Sequence, residues 1–367
     1  MKILTILGAR PQFIKAATVS RKLKETKDIT EIIVHTGQHY DQNMSGIFFD
    51  ELEIPKPDYN LEISGLSHGV MTGRMVEKIE RILFVEKPNW VMVYGDTNST
   101  LAGALAASKL HIPIVHVEAG LRSSNPLMPE EINRVLTDRV STLLLCPTTA
   151  AVENLKKEGF PFRTVHANRT VSDQQIHNVG DVMYDAVLFY KQRALQCDTL
   201  KRLNLSHGNF LLCTIHRQEN TDNPERLTRI LDALVKLNKD IRVVMPLHPR
   251  TRKKINESGN REKLKELLVV EPLPYIEMLR LQISAKRIIT DSGGLQKEAY
   301  FNRVPCVTIR NETEWEETLE HGWNKLVAAN TMEIVENVMS EPDPQLHSGS
   351  LFGNGDAALS IVGHLTH

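Results

Sequence analysis

Short apolar runs rich in β-branched residues alternate along the chain with longer segments of helical period. The apolar runs are Lys2–Leu7, Glu31–Thr36, Trp90–Tyr94, Ile114–Val117 and Leu143–Cys146 in the first half, and Phe210–Ile215, Arg242–Leu247, Leu268–Val270, Arg287–Thr290 and Cys306–Ile309 in the second. Segments of helical period, such as Asp222–Asn238 and Tyr275–Ser284, separate them. This alternation is typical of βαβ units, in which each strand belongs to a parallel sheet buried on both faces.

The chain is too long for one ordinary hydrophobic core, since its 367 residues favour two domains. A polar segment of poor periodicity, Gly159–Asn178, lies between the two series of strands and is predicted to be the linker. We therefore predict an α/β fold of two facing Rossmann-like doubly wound domains, residues 1–168 and 169–350. We expect residues 351–367 to form a helix that packs back on the first domain.

Composition narrows the choice of partner. Lys plus Arg total 44 against 45 for Asp plus Glu, and neither sign forms a long block, so nucleic acid and anionic membranes are poor candidates. The first residues lack the features of a signal peptide, and no apolar stretch approaches the roughly 20 residues of a membrane span. Three of the four cysteines, Cys146, Cys213 and Cys306, lie in strand-like runs and are interpreted as small core residues of a cytoplasmic protein.

Chemistry is expected where the predicted strands end, because the loops after parallel strands meet in one crevice. The polar residues that follow strands are Arg10, Asp96, Glu118, His216 with Arg217, His248, and Asp291 with Ser292. A carboxylate at the end of an apolar strand is costly unless it is paired or used, which makes Glu118 a candidate functional group. For Asp96 a helix cap is an equal alternative, and His216 and His248 could be structural.

The segment Asp291–Glu298 is predicted to run from a strand into a helix through Gly293 and Gly294. Glycines at such a turn let backbone amides approach an anion, and a diphosphate would suit the site. Packing alone also explains a Gly-Gly pair. Arg10 and Lys15 could neutralise the same diphosphate or could be solvated surface cations.

Two other kinds of site are not supported. The histidines and carboxylates are scattered without metal-ligand spacing, so no metal is expected. The segment Gly353–Ala358 matches a dinucleotide-binding pattern but follows no predicted strand, so no nicotinamide cofactor is expected.

Seven motifs in order resemble the non-hydrolysing UDP-N-acetylglucosamine 2-epimerase family. They are residues 8–15 (GARPQFIK), 94–97 (YGDT), 116–122 (HVEAGLR), 129–134 (PEEINR), 216–217 (HR), 291–298 (DSGGLQKE) and 313–314 (TE). The resemblance covers nearly the whole chain and implies the two-domain fold of nucleotide-sugar glycosyltransferases, called GT-B.

The resemblance also implies roles for individual residues. The catalytic group around the sugar would be Asp96, Glu118, Glu130 and His216. The substrate-binding group would be Arg10, Lys15, Arg122, Arg217, His248, Ser292, Gly293, Gly294, Glu298 and Arg310, with the diphosphate held by Arg10 and residues 292–294 and the ribose by Glu298. A UDP-sugar substrate, a homodimer, a cytoplasmic location and no cofactor are the further expectations.

Two segments depart from the family pattern. After Thr313-Glu314 the common members carry Arg-Pro, whereas this chain has Trp315-Glu316. Residues 37–42 (GQHYDQ) differ from the form that binds a second UDP-N-acetylglucosamine as activator. Both departures resemble the subgroup that acts on UDP-2,3-diacetamido-2,3-dideoxy-glucuronate.

The family is held to eliminate UDP across carbons 1 and 2 of the sugar and to add it back after protonation on the opposite face. Alternatives remain open: a hydrolysing 2-epimerase, a GT-B glycosyltransferase, or a silent nucleotide-sugar sensor. The acidic residues argue against a sensor, because carboxylates near a diphosphate weaken simple binding.

Overall fold

The structure is a computed structural model that describes residues 1–38, 49, 52–123, 125–161, 174–320, 322–341 and 351–366. The chain divides into two compact units, Met1–Ala186 with Ser350–His367, and Val187–Gly349. The predicted domain boundary at residue 168 lies outside the described residues. No helix in the described part of the chain combines the length and apolar character needed to cross a bilayer.

The first unit is built on a parallel sheet of order β3-β2-β1-β4-β5-β6-β7. Its strands are β1 Lys2–Leu7, β2 Thr30–His35, β3 Tyr59–Asn60, β4 Trp90–Tyr94, β5 Ile114–Val117, β6 Leu143–Cys146 and β7 Gln175–Asn178. Its helices are α1 Arg10–Glu25, α2 His68–Glu86, α3 Asn98–Lys109, α4 Pro129–Val140, α5 Thr149–Lys157 and the first residues of α6, Val182–Gln196. The order reverses at β1, as in Rossmann folds, so the ends of β1 and β4 lie at the switch point where ligands bind.

The second unit has a parallel sheet of order β10-β9-β8-β11-β12-β13. Its strands are β8 Phe210–Thr214, β9 Arg242–Pro246, β10 Leu268–Val270, β11 Arg287–Thr290, β12 Cys306–Ile309 and β13 Asn324–Val327. Its helices are the rest of α6, then α7 Thr199–Arg202, α8 Gln218–Thr221, α9 Pro224–Asn238, α10 Pro249–Glu257, a 3₁₀ turn Arg261–Glu266, α11 Tyr275–Ser284, α12 Gly293–Phe301, α13 Glu317–Glu320 and α14 Thr331–Met339. The final helix, α15 Ala357–Thr366, belongs to the first unit.

Both faces of the second sheet are buried, which explains its unbroken apolar strands. Successive residues of β8 enter different core clusters: Leu211 and Cys213 join one, and Phe210 and Leu212 the other. Period-2 geometry sends neighbouring side chains to opposite faces, so both faces of this sheet are covered. Helix α9 covers one face with Leu227, Ile230, Leu231, Leu234 and Leu237 at helical spacing.

Most predicted strands have the predicted first and last residues, whereas three strands and one helix begin or end at different residues. The predicted strand Glu31–Thr36 is Thr30–His35, and two others end one residue earlier, at Thr214 and Pro246. Helix α9 begins at Pro224 rather than Asp222, because the Asn223 side chain accepts the N–H groups of Glu225 and Arg226 at 3.1 Å and caps the helix.

Three short strands, β3, β7 and β13, were not predicted. Strand β7, Gln175–Asn178, falls inside the segment predicted to be a linker, so that part of the linker prediction was wrong. Strand β7 pairs only with β6 at the edge of its sheet, and its side chains are half-buried or exposed, which permits a polar sequence.

The predicted core cysteines are confirmed as buried strand residues. Cys146, Cys213 and Cys306 lie in β6, β8 and β12 and are almost inaccessible. Burial raises the pKa of all three thiols, that of Cys306 to about 12. These cysteines are therefore inert packing groups.

The C-terminal helix α15 packs against α1, and its N-terminus is held by Asp185. The two carboxylate oxygens of Asp185 accept the N–H groups of Ala357 at 3.2 Å and Ala358 at 2.8 Å. Burial raises the pKa of Asp185 to about 6, although the two amides act to lower it. A buried carboxylate thus anchors the chain end at a helix N-terminus.

Asp185 predicts a specific pH dependence of stability. Because its pKa is raised in the folded protein, the native state binds the proton more tightly than the unfolded chain. The contribution of Asp185 to the free energy of unfolding therefore falls as pH rises from about 4 to 6, by an amount on the order of 2 kcal/mol. Urea unfolding of the wild type and Asp185→Asn should give a difference that changes across this range. A pH-independent difference would contradict the assignment.

Candidate functional site

Gln12 ties together the ends of the two central strands of the first sheet. Its Oε1 accepts the N–H groups of Gly8 at 2.8 Å and Ala9 at 3.1 Å, directly after β1. Its Nε2 donates to the Tyr94 carbonyl at 2.6 Å, at the end of β4. The buried amide therefore fixes the turn from which Arg10 begins helix α1 against the turn that carries Asp96.

Glu118 is held in an unfavourable backbone conformation after β5. Its φ is +74°, in the left-handed region that residues with a Cβ rarely adopt, and its side chain is buried. The carboxylate forms an ion pair with the Lys15 ammonium group from helix α1. Strain of this kind persists only where surrounding contacts impose it, and it is concentrated at functional sites.

Asp96 is anchored by the first half of helix α4. Its Oδ2 accepts a hydrogen bond from Arg134 Nη2 at 2.5 Å, and its backbone carbonyl accepts one from the Asn133 side chain at 2.9 Å. Arg134 is itself buried and also donates to Glu131 at 2.8 Å. The Asp96 side chain remains 31% exposed, so it is oriented by protein but open to a ligand.

The two glutamates at the start of α4 have different environments. Glu131 is buried and accepts from Ser123 as well as Arg134. Glu130, the predicted catalytic residue, is exposed on the first helical turn. Because Glu130 is exposed, its carboxylate is accessible to a ligand.

Arg122 is fully engaged with protein carboxylates. Its guanidinium donates to Asp138 at 2.8 Å and to Glu158 at 2.6 and 3.0 Å, and only 9% of the side chain is exposed. The predicted substrate-binding arginine therefore lies in a buried ion-pair network.

In the second unit, Asp291 organises the turn that carries His216. This fully buried carboxylate accepts the backbone N–H groups of His216 at 3.0 and 3.1 Å and of Arg217 at 3.0 Å. It also accepts from Asn220 at 3.1 Å. His216 Nδ1 lies 3.3 Å from the same group, which orients the imidazole.

The His216 ring is half open, with 51% of its side chain exposed. Desolvation nonetheless lowers its pKa against the attraction of Asp291, and the guanidinium groups of Arg217 and Arg250 lower it further. The ring is therefore biased toward the neutral form, and a bound dianion would raise the pKa again.

The Ser292-Gly293-Gly294 turn begins helix α12 directly after β11. Ser292 Oγ accepts the Leu295 N–H at 3.4 Å as the N-cap. A side chain at Gly293 would collide with the Glu314 carboxylate, so packing explains this glycine. Among the described residues, a Cβ at Gly294 would meet only Ser292 Oγ, at 4.0 Å, so they leave space beside this residue.

Glu314 and Arg310 form a buried pair near this turn, with Arg310 Nη1 2.8 Å from Glu314 Oε2. Arg310, a predicted ligand-binding residue, is 1% exposed. Lys297 is equally buried and its ammonium group lies 3.7 Å from the centre of the Trp315 ring. The departure from the family motif at Trp315 thus serves a cation–π contact inside the protein.

The remaining predicted residues have mixed environments. Glu298, expected to receive the ribose, is buried and accepts from Gln282 Nε2 at 2.6 Å. His248 is exposed, and its Nδ1 accepts the Arg250 N–H at 3.2 Å as the cap of helix α10. Arg217 lies 3.8 Å from Glu314. In the segment 37–42, residues 39–42 lie outside the described residues.

Residues that sequence reasoning missed lie on one face of helix α4. Its buried residues are polar, namely Glu131, Asn133, Arg134, Thr137 and Asp138, whereas its apolar Ile132 and Leu136 are exposed. This inverted pattern was readable from the sequence as a helix whose polar positions have the spacing of a core face.

Carboxylates, cations and amide-rich turns thus lie at the ends of strands in each unit, and such groups are suited to acid/base chemistry and to anion binding. The family model described as UDP-N-acetylglucosamine 2-epimerase matches residues 21–366. The UDP-2,3-diacetamido-2,3-dideoxy-D-glucuronate 2-epimerase of Pseudomonas aeruginosa is 52% identical, over 100% of this chain and 99% of its own. The UDP-N-acetylglucosamine 2-epimerase of Methanocaldococcus jannaschii is 42% identical, over 100% of this chain and 99% of its own.

Solved structures agree. The M. jannaschii UDP-GlcNAc 2-epimerase in complex with UDP-GlcNAc and UDP matches with a TM-score of 0.88 and 42% identity, covering 100% of this chain and 99% of that one. The Neisseria meningitidis enzyme bound to UDP-GlcNAc matches with a TM-score of 0.86 and 30% identity, covering all of both chains. The chain belongs to the UDP-N-acetylglucosamine 2-epimerase family and is an epimerase-type isomerase. The predicted family and the predicted GT-B-like α/β fold class are confirmed.

The role of Asp291 can be checked against a matched surface carboxylate. Asp291→Asn replaces a carboxylate that accepts from three N–H donors by a group with one acceptor oxygen and an opposing NH₂. We expect a loss of about 2 to 3 kcal/mol in the free energy of unfolding. Asp222→Asn removes an exposed partner of Arg250 and should cost less than about 1 kcal/mol. Equal losses in urea unfolding would refute the role assigned to Asp291.

Proposed function

We propose that this enzyme inverts carbon 2 of a UDP-linked 2-acetamido sugar by eliminating UDP and adding it back. The observation that carries the proposal is the full-length similarity to named 2-epimerases, 52% identical in the P. aeruginosa relative. The acid/base groups Asp96 and Glu118 and the anion-compatible turn at residues 292–294 support it chemically.

The sugar we propose first is UDP-2,3-diacetamido-2,3-dideoxy-glucuronate. The relative named for this substrate is 52% identical, against 42% for the M. jannaschii enzyme named for UDP-N-acetylglucosamine. Trp315-Glu316, where common family members carry Arg-Pro, favours the same choice. UDP-N-acetylglucosamine is the second candidate. Supply of O-antigen precursors in the cytoplasm is the role we propose for either product.

The chemistry follows from the position of the hydrogen on carbon 2, which is not beside a carbonyl. Direct deprotonation would leave an unstabilised carbanion. In the proposed first step a base takes this proton, the carbon 1–carbon 2 double bond forms, and the bond from carbon 1 to UDP breaks. In the second step a proton is added to the opposite face of carbon 2, and UDP oxygen re-forms the bond to carbon 1.

Asp96, Glu118 and Glu130 are the proposed acid/base groups. Lys15 stabilises Glu118 as a carboxylate, as a general base requires. Arg134 orients Asp96 while leaving it partly exposed. Exposed Glu130 is the third candidate.

The leaving diphosphate needs positive charge and oriented amides. We propose Arg10, His216 and the N-terminus of helix α12 as its ligands, because such groups stabilise developing charge on a leaving group. His216, biased toward the neutral form in the free protein, would gain a proton beside the dianion. Arg122 and Arg310, already buried in ion pairs, are proposed to support the site rather than contact the ligand.

Proton NMR in deuterium oxide tests substrate and reaction together. Purified protein is incubated separately with UDP-N-acetylglucosamine and with its diacetamido-uronate counterpart. We expect epimerisation of the uronate, with deuterium on carbon 2 of product and of recovered substrate. Epimerisation without label would exclude proton exchange with solvent, and release of free sugar or UDP would favour a hydrolase.

Variants of the acid/base carboxylates should separate chemistry from binding. Asp96→Asn and Glu118→Gln should lower kcat by about 10² to 10⁴-fold with UDP affinity retained, because general acid/base groups act on the transition state. Asp222→Asn and Glu153→Gln, in exposed carboxylates, are the matched controls. An equal loss of UDP affinity, measured by calorimetry, would assign the residues to binding or folding instead.

We also propose a homodimer formed through the apolar outer face of helix α4 and the preceding loop. Leu127, Ile132 and Leu136 are 89%, 49% and 43% exposed, while the polar face of the helix is buried. A second copy of the chain would cover these side chains. Sedimentation equilibrium of wild type and Leu136→Glu should show a dimer and a weakened dimer, whereas a wild-type monomer would exclude the proposal.

A further inference from the structure

A fully buried histidine joins two loops of the first unit. His116 lies in β5 and has no accessible surface. Its Nδ1 is 2.6 Å from Asp138 Oδ1, and its Nε2 is 2.8 Å from the Gly95 carbonyl oxygen. A carbonyl oxygen only accepts, so Nε2 carries a hydrogen and donates it to Gly95.

Asp138 extends the same connection to the loop after β5. This buried residue of helix α4 accepts at Oδ2 from the Gly120 N–H at 3.2 Å and from Arg122 Nη1 at 2.8 Å. Burial alone would raise the pKa of Asp138, but the charges and hydrogen bonds of His116 and Arg122 outweigh it and lower the pKa. Asp138 is therefore an anion, and His116, Gly120 and Arg122 surround it.

The two loops joined in this way carry the proposed acid/base groups. Gly95 directly precedes Asp96, and Gly120 follows Glu118 by two residues. Gly95, Glu118 and Gly120 have φ values of +63°, +74° and +80°. Glycine adopts such values without strain, whereas Glu118 needs contacts from its surroundings to stay there. His116 and Asp138 hold the backbone on either side, at Gly95 and at Gly120.

We propose that His116 and Asp138 are positioning residues that fix the Gly95–Asp96 and Glu118–Gly120 turns in their reactive geometry. The proposal rests on the function proposed above and adds two residues to which no role had been given. Neither side chain touches the reacting sugar. Both act through the backbone of the loops that do.

Asp138→Asn tests the link between the two side chains. We expect the amide oxygen to be retained by the Gly120 and Arg122 donors, so that the NH₂ group faces His116 Nδ1. The contact between an anionic oxygen and His116 is then lost.

The first experiment compares His116→Phe with the control His35→Phe. Both variants replace a buried histidine, and His35 packs edge-on against the Phe13 ring. If His116 positions the turns, kcat of its variant should fall by about 100-fold with UDP affinity unchanged, because a small misplacement of reacting groups slows a reaction by about this factor. The His35 control should lose far less at comparable thermal stability. Equal losses in the two variants would overturn the proposal.

The second experiment uses Asp138→Asn, with the exposed Asp222→Asn as its control. We expect Asp138→Asn to lose kcat by at least about 10-fold with UDP affinity unchanged, because misplaced reacting groups slow the chemical step without weakening binding. A kcat equal to that of the control would overturn the proposal. If Asp138→Asn does not fold, the comparison of His116→Phe with His35→Phe decides. A wild type inactive on both sugars would sink the proposed function instead.

Discussion

The burial of ionised side chains at the carboxyl ends of parallel strands is the constraint on which both units depend. Burial of a carboxylate costs desolvation free energy, which is offset only when opposite charges or hydrogen-bond donors surround the group. Glu118 forms an ion pair with Lys15, and Asp138 contacts Arg122 and His116. Asp291 accepts hydrogen bonds from backbone and side-chain N–H groups. Each of these sets of contacts also fixes a loop. The contacts that neutralise buried charge therefore also position the functional groups.

The two units meet this constraint differently. In the first, carboxylates are paired with cations from α1, α4 and the loop after β5, which leaves acid/base groups in defined positions. In the second, Asp291 is satisfied largely by amides, so the turn with His216 and the turn at Ser292 are joined without a full ion pair. The first arrangement suits proton transfer, and the second suits the recognition of an anion.

Much of the fold could be predicted from the sequence, because buried parallel strands are continuous apolar runs and helices have their own period. Strands β3, β7 and β13 escaped prediction because edge strands need no apolar run and β3 has only two residues. Motif resemblance identified Asp96, Glu118 and His216 as candidates but could not separate exposed from buried arginines. Arg122 and Arg310 are buried because of Asp138, Glu158 and Glu314, which are partners set by tertiary packing.

The proposed mechanism requires that the bond between carbon 1 and UDP breaks during each inversion. Positional isotope exchange measures this most directly, using substrate labelled with ¹⁸O in the oxygen that bridges carbon 1 and the β-phosphorus. We expect the label to migrate to the non-bridging oxygens of the β-phosphate as the sugar epimerises and the β-phosphate of bound UDP rotates. Complete epimerisation with all label still in the bridging position would contradict it.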